Sequence, residues 1–301
     1  MAKAIRSCHR VREDNVVMLI TLAPAKLNLT LEVLNKRSDG YHEIRSLVQT
    51  ISLYDRLSFE IASEISFECT EQVLRTQDNL VLRAARLLQT TCNYKRGARI
   101  KLEKKIPWSA GLGGGSSDAA ATLLTLNKIW NLRLQTSELM KLAAQLGSDV
   151  PFFIHKGTAV IEGKGEKVIS LPLGSSPSWF VLLLPPLSSF IDKTKQAYAR
   201  LKKQHFTTGQ FTTEAAETWT KNGEINPALL FNVFNSVAFD IFPELNVYWK
   251  HFEQAGATNI YLAGSGPTLF TLAANRNSAR AVHQQLGNQG ITSYIVSTTL
   301  E

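Results

Sequence analysis

Residues 107–118 read Pro107-Trp108-Ser109-Ala110-Gly111-Leu112-Gly113-Gly114-Gly115-Ser116-Ser117-Asp118, with four glycines in the five positions 111–115. Glycine reaches positive φ without a Cβ clash and lets a ligand approach the backbone closely. Consecutive N–H groups in such a loop form an anion-binding concavity. A helix starting at Ser116 or Ser117 adds the positive end of its dipole. The residues that follow, to Trp130, are good helix formers, with Leu123, Leu126 and Trp130 on one face. A flexible surface loop is the plainer reading; placement directly before a helix argues for a phosphate cradle.

The familiar cradles do not fit it. A P-loop needs Lys followed by Ser or Thr after its last glycine, whereas Gly115 is followed by Ser116 and Ser117. A dinucleotide fingerprint beginning at Gly111 would need glycine where Ser116 stands. The chain also contains no His-Arg-Asp and no Asp-Phe-Gly, so the protein-kinase set is missing.

Upstream of the loop, Ala25, Leu27, Leu29, Leu31 and Val33 alternate with Lys26, Asn28, Thr30 and Glu32. Period two over nine residues predicts a half-buried strand with Lys26 and Asn28 on its polar face. Arg37-Ser38-Asp39-Gly40 reads as a turn. Strands are expected around Leu57–Ile61, Ile65–Cys69 and Ala98–Glu103, and a helix from Leu80 to Leu88 opened by Asp78-Asn79. Downstream, Ser137 is expected to cap a helix that Gly147 ends, and Thr158–Ile169 reads as a hairpin turning at Gly163 and Gly165. Leu173 to Ser178 is the best linker. Beyond it come strand Trp179–Leu184, a helix near Asp192–Lys203, an uninformative stretch from His205 to Gly223 and two more helices. Strand Asn259–Leu262, turn Gly264-Ser265-Gly266-Pro267, strand Thr268–Leu272, helix Arg276–Leu286 and strand Thr292–Ser297 complete the chain. Interleaved strands and helices in both halves predict a mixed α+β protein of two layered domains.

Composition bounds the rest. With 301 residues, 44% hydrophobic and 19% charged, the chain can bury sizeable cores and is not a disordered or fibrous protein. The net charge of +8 allows nucleic acid, a membrane surface or an anionic small molecule as partner. Cys8, Cys69 and Cys92 are odd in number and far apart, which speaks against a disulfide framework or a zinc site and for a reducing, cytoplasmic setting. Apolar runs such as Val16–Ala23 fall far short of the ~20 residues a membrane helix needs. Residues 1–17 are basic and read as a loose extension rather than a signal peptide, because Glu13 and Asp14 interrupt the pattern; Met18 offers an alternative start.

Taken together, three stretches in this order resemble the GHMP kinases, which include the galactokinases, homoserine kinases, mevalonate kinases and phosphomevalonate kinases. They are Pro24-Ala25-Lys26-Leu27-Asn28, the glycine loop from Pro107 to Ser117, and Ala263-Gly264-Ser265-Gly266-Pro267. The resemblance implies a ribosomal-protein-S5-domain-2-like nucleotide domain over 18–173 and a ferredoxin-like α/β domain over 174–301. Arg37-Ser38-Asp39-Gly40-Tyr41-His42 and Leu146-Gly147-Ser148-Asp149-Val150-Pro151-Phe152-Phe153 narrow it to the family of 4-diphosphocytidyl-2-C-methyl-D-erythritol kinases. Asp39-Gly40-Tyr41-His42 is the most discriminating. That family moves the ATP γ-phosphate to a 2-hydroxyl in the non-mevalonate route to isoprenoid precursors.

Roles follow by resemblance. Asp149 matches the general base and Lys26 the lysine that offsets charge beside it. By themselves Asp149 also reads as a helix cap and Lys26 as a solvated strand lysine. Asn28, Tyr41, His42, Thr194, Tyr198, Gly264, Ser265 and Gly266 match the side that holds the substrate, with Tyr41, His42 and Tyr198 around cytosine. Tyr41 and His42 alone would read as turn and core residues. The segment from Pro186 to Lys193 runs about two residues longer than the family pattern. For ATP, the matches are Asn79, Val81, Lys104, Pro107, Gly111, Leu112, Gly113, Gly114, Gly115, Ser116 and Ser117. Lys104 also reads as a solvated charge in Glu103-Lys104-Lys105. Mg²⁺ is the implied cofactor, with Ser117 its candidate contact. The implied partner is a small molecule, with no nucleic acid and no membrane, and a monomer or weak homodimer. Two alternatives stand beside this reading: a related kinase acting on another alcohol, and a nucleic-acid-binding module. The second would need Lys and Arg clustered with aromatics, and here they are dispersed.

Overall fold

A computed structural model describes residues 8–13, 16–187 and 193–299. The chain forms two compact units that do not separate at one point of the sequence. The first comprises 1–25, 53–108 and 113–156; the second comprises 26–52, 109–112 and 157–301. Two long strands, Val16–Asn28 and His42–Ala62, each contribute residues to both units.

In the first unit, Cys8–Glu13 pairs antiparallel with Val16–Thr21, so part of the expected loose extension is paired strand; residues 1–7 and 14–15 lie outside the described residues. Arg56–Ala62 pairs antiparallel with Gly97–Glu103, whose other edge takes Ser66–Cys69 in parallel. Helices Leu80–Thr91, Gly114–Ile129, Thr136–Leu146 and Val150–His155 pack on one another. Their shared core includes Val81, Leu88, Leu123, Leu126, Leu142 and Phe153. The Thr21 and Thr125 hydroxyls are 2.8 Å apart, tying strand to glycine-loop helix, and Trp130 Nε1 donates to the Gly97 carbonyl. Helix Thr136–Leu146 is capped by Gln135 and Glu138 in a reciprocal box, not by Ser137.

In the second unit, Thr30–Lys36 pairs antiparallel with His42–Arg45 across a bulge, and Phe231–Asn232 pairs in parallel with Thr30–Leu31. Ile44–Gln49 pairs with Thr158–Gly163, which turns through positive-φ Gly163 and Gly165 into Lys167–Ser170. A separate four-stranded sheet is wholly antiparallel, in the order Tyr261–Leu262, Leu269–Ala273, Trp179–Leu183, Ser293–Ser297. Helix Arg276–Asn288 packs against it. Chain order strand, helices, strand, strand, helix, strand with this spatial order is the ferredoxin-like arrangement expected. Among the described residues, no helix is long and apolar enough to cross a membrane.

The single half-buried strand expected here is two consecutive strands, Val16–Asn28 and Thr30–Lys36, and neither keeps the half-buried pattern. Lys26, Asn28, Thr30 and Glu32 are buried as fully as the apolar residues alternating with them. Buried polar groups require partners, and this face supplies them except at Glu32 Oε1, which has none among the described residues. The Thr30 and Thr212 hydroxyls bond at 2.7 Å, and Glu32 Oε2 accepts the Thr212 N–H at 2.7 Å. A carboxylate there complements the first turn of helix Gln210–Asn222.

Candidate active site

The glycine sequence builds its helix earlier than expected. Gly113 is left-handed (φ +71°) and the helix begins at Gly114. The N–H groups of Gly114, Gly115 and Ser116 donate to no acceptor among the described residues, as an anion cradle requires. Below them, a Cβ on Gly114 would lie 2.9 Å from Lys104 Nζ and 3.0 Å from Ile106.

Lys104 is therefore no solvated charge: its side chain is 3% exposed. Its ammonium sits 2.5 Å from Asp55 Oδ2 and 2.9 Å from Asp118 Oδ2. Asp55 Oδ1 also accepts the N–H groups of Lys105 (2.6 Å) and Ile106 (2.8 Å), fixing the backbone just ahead of the loop. Burial pushes the Asp118 carboxyl up to about 8, against the pull of Lys104 and with added repulsion from Asp55. Lys104 is held above its ordinary value, because the two carboxylates outweigh its desolvation.

This arrangement has a pH consequence. Between the ordinary carboxyl value of 3.8 and about 8, the unfolded chain releases the Asp118 proton while the folded protein keeps it. Stability from this group is thus full below that window and declines as pH rises through it. Thermal melts across the window are expected to show the unaltered protein losing ground to Asp118→Asn as pH rises. Parallel curves would contradict the assignment.

In the second unit, Lys26 is 5% exposed and donates to Asn28 Oδ1 at 2.6 Å. Asn28 Nδ2 donates to Ser46 Oγ at 2.8 Å, and that hydroxyl donates to the Thr30 carbonyl. The solvated reading of Lys26 is excluded, and Asn28 has a fixed orientation. The Lys26 N–H donates to the Leu112 carbonyl at 2.9 Å, joining this strand to the glycine loop. Gly111 (φ +84°) could carry no side chain, since a Cβ would fall 2.0 Å from the Ala263 carbonyl oxygen. Gly264 (φ +58°) is less crowded but tight, its Cβ position being 3.2 Å from the Gly111 carbonyl oxygen and 3.5 Å from Lys26 Nζ. Gly111→Ala is expected to displace this contact and lower kcat about a hundredfold. Steady-state rates on folded variant check this; an unchanged kcat would show the contact to be irrelevant to turnover.

The Gly264–Gly266 hairpin has fewer free donors than expected. The Gly266 N–H is donated to the Ala263 carbonyl at 2.9 Å, whereas those of Gly264 and Ser265 have no acceptor among the described residues. Thr194 Oγ1 lies 3.1 Å from Ser265 Oγ. His42 stacks on Tyr198 with centroids 4.9 Å apart, and Phe206 and Phe234 pack edge-on to this pair. The second unit thus brings His42 and Tyr198 together, while residues 188–192, within the lengthened segment, lie outside the described residues. Burial and Lys36 hold the His42 imidazole below its usual value, so it is neutral at pH 7, with one donor and one acceptor nitrogen. Tyr41 is 55% exposed, with Lys164 Nζ 4.7 Å from its ring centroid. Its loop is locked by Asp39, which accepts the Tyr41 N–H, and by Arg37, bonded to Asp39 and Glu43.

Asp149 occupies the N-cap position of helix Val150–His155, but its side chain does not cap that helix. The Asn79 amide is taken up locally: Oδ1 accepts the Val81 N–H and Nδ2 donates to the Leu74 carbonyl. The Val81 side chain is wholly in the core. Leu112 is buried too, and Pro107 is half-buried. Asp55, Asp118 and Lys164 were not singled out from the sequence. Asp118 closes the glycine motif itself; Lys164 sits between two turn glycines; Asp55, in Tyr54-Asp55-Arg56, has no local signal.

Comparison with known proteins agrees with this geometry. Residues 79–157 match the GHMP kinases N terminal domain, and residues 214–292 match the GHMP kinases C terminal family. A 4-diphosphocytidyl-2-C-methyl-D-erythritol kinase of Dehalococcoides mccartyi is 45% identical over 281 residues, covering 93% of this chain and 98% of the relative. One of Pelotomaculum thermopropionicum is 43% identical over 88% of this chain and 93% of its own length. A crystal structure of a 4-(cytidine 5′-diphospho)-2C-methyl-D-erythritol kinase superposes with a TM-score of 0.78 at 33% identity, covering 93% of this chain and 98% of that one. Homoserine kinase from Cytophaga hutchinsonii shares the fold, with a TM-score of 0.72 at 16% identity over 97% of both chains. Near-complete coverage at such identity settles the relationship: the chain belongs to the GHMP kinases, within the family of 4-diphosphocytidyl-2-C-methyl-D-erythritol kinases.

Proposed function

We propose that this protein transfers the γ-phosphoryl group of ATP to the 2-hydroxyl of 4-diphosphocytidyl-2-C-methyl-D-erythritol, giving the 2-phosphate and ADP. The observation that carries the specific substrate is the stack of neutral His42 on Tyr198, beside the loop that holds Tyr41. Flat aromatic faces suit a pyrimidine, and a neutral imidazole suits its hydrogen-bonding edge. Mevalonate and homoserine carry no base that would use such a stack.

The proposed roles follow each residue's environment. The N–H groups at Gly114–Ser116, which have no acceptor among the described residues, receive ATP phosphates. Those of Gly264 and Ser265 receive the substrate diphosphate. Asp149 accepts the proton of the 2-hydroxyl as its oxygen bonds to the γ-phosphorus and the bond to the β-phosphate oxygen breaks. The Lys26 ammonium, oriented by Asn28, offsets charge on the transferring group.

The residues present fit a magnesium ion that is carried mainly by nucleotide phosphates. Ser117 Oγ is buried with no hydrogen-bond partner among the described residues. No group of three or more His, Cys, Asp or Glu there forms a metal cage. Mg²⁺ commonly keeps waters and takes few protein ligands. Ser117 would hold it, and its chemistry would be to neutralise phosphate charge.

Phosphorus NMR of the product tests the reading. C2 of the substrate bears a methyl group and no hydrogen, so a 2-phosphate gives a monoester resonance without three-bond proton coupling. A proton-coupled monoester, or a lengthened diphosphate chain, would place the phosphoryl group elsewhere and overturn it.

A further inference from the structure

Two asparagines with no role in the sequence reading hold the Gly264 hairpin. Asn232 is buried in the second unit. Its Nδ2 donates one hydrogen to the Leu262 carbonyl and the other to the Gly264 carbonyl, both at 2.8 Å. Its Oδ1 accepts the Phe234 N–H at 2.9 Å. Asn235 donates to the Ile260 carbonyl at 3.2 Å and accepts the Leu262 N–H at 3.1 Å. Two side-chain amides therefore give one edge of 260–264 four hydrogen bonds. The other edge is paired normally, Tyr261–Leu262 against Leu269–Phe270.

The same asparagine reaches the strand that immediately follows the lysine strand. Phe231–Asn232 pairs in parallel with Thr30–Leu31, and the Phe231 N–H donates to the Leu29 carbonyl at 3.2 Å. Asn232 is thus fixed by its backbone to the strand Thr30–Lys36, which follows Lys26 and Asn28 directly in the chain, and by its side chain to the Gly264 peptide. The spacing it sets is that of direct contact: a Cβ on Gly264 would lie 3.2 Å from the Gly111 carbonyl oxygen, a tight approach, and in ordinary contact with Lys26 Nζ (3.5 Å) and Asn28 Oδ1 (3.6 Å). An apolar residue could fill the volume, but it could not fix the height of a carbonyl. An amide using both hydrogens does.

We infer that Asn232, assisted by Asn235, is a positioning residue for phosphoryl transfer, holding the Gly264–Ser265 donors in register with Lys26 and Asn28. This rests on the kinase reading of the site but not on which alcohol is used. The assay therefore takes whichever alcohol supports ADP release, and failure of the cytidine reading shows separately, as no turnover of that alcohol by the unaltered protein.

The test compares Asn232→Asp and Asn235→Ala with the unaltered protein, with kcat expressed per ATP-binding site counted by calorimetry. At alkaline pH the Asn232→Asp carboxylate faces two carbonyl oxygens, and kcat is expected to fall about a hundredfold with ATP affinity within about twofold. As pH falls, a protonated carboxyl can donate one of the two lost bonds, so the ratio of variant to unaltered kcat should rise. Asn235→Ala, half-buried and less disruptive, should lose about tenfold without a pH-dependent ratio. If Asn232→Asp does not fold, Asn235→Ala decides alone. Unchanged kcat per ATP site in the folded variants, at every pH, would overturn the inference.

Discussion

Asp149→Asn should reduce kcat by about a thousandfold, within the range general-base removal usually costs, while ATP binds within about twofold of normal. Asparagine matches aspartate in shape but cannot take a proton from the attacking hydroxyl. The substitution also separates two roles. If Asp149 mattered as a cap, asparagine would serve equally well at that position. The Asp149 side chain makes no capping bond to helix Val150–His155. Because phosphoryl transfer relies heavily on placement and charge neutralisation, the loss tests the base role specifically. A kcat within a few fold of normal would remove Asp149 from the chemistry and leave placement to explain the rate.

Lys104→Met should be the most destabilising single change at the site, by about 3–5 kcal/mol, a fall of roughly 10 °C in melting temperature. Methionine fills the volume but leaves Asp55 and Asp118, both buried, facing each other without the ammonium between them. Breaking a buried ion pair costs more than the pair contributes, because a charge is left without compensation. Adding Asp55→Asn to Lys104→Met should recover part of the loss, since the buried carboxylate left without its ammonium is gone while the amide oxygen can still accept from Lys105 and Ile106. Unfolding melts of the single and double variants check this. Equal melting temperatures for all three proteins would mean that the triad is open to water.

The chain's local periodicity carried much of the fold. Asn79 as a cap, the hairpin at Gly163–Gly165 and the strand at Trp179–Leu183 all have short-range signals that survive in the structure. The long strand His42–Ala62 did not, over its first half. Residues Ser46 to Ile51 are buried on both faces, so polar and apolar side chains follow one another without alternation. Helix Gln210–Asn222 was equally silent, because only Thr212 and Trp219 are buried and no apolar stripe develops. Both failures come from tertiary context overriding a local pattern.

The site was legible in its glycines and much less so in its charges. Gly111 and Gly264 show why: each lies where a Cβ would strike a backbone oxygen or come too close to one, and glycine is visible in any sequence. Burial is not. Lys26 stood in a strictly alternating strand that promised a solvent-facing side, and Lys104 stood beside Glu103 and Lys105. Both proved buried and paired with residues distant in sequence or on a covered face. Asn232 lies 32 residues from the carbonyl of Gly264 that it holds, a separation no local motif reports.

The central claim is that the acceptor alcohol is recognised through its cytidine. Its most direct test is ADP release by the purified protein with ATP and Mg²⁺, comparing 4-diphosphocytidyl-2-C-methyl-D-erythritol, mevalonate and homoserine at equal concentrations. The account predicts turnover with the cytidine-linked alcohol and none above background with the other two. Turnover with mevalonate or homoserine, and none with the cytidine-linked alcohol, would contradict it.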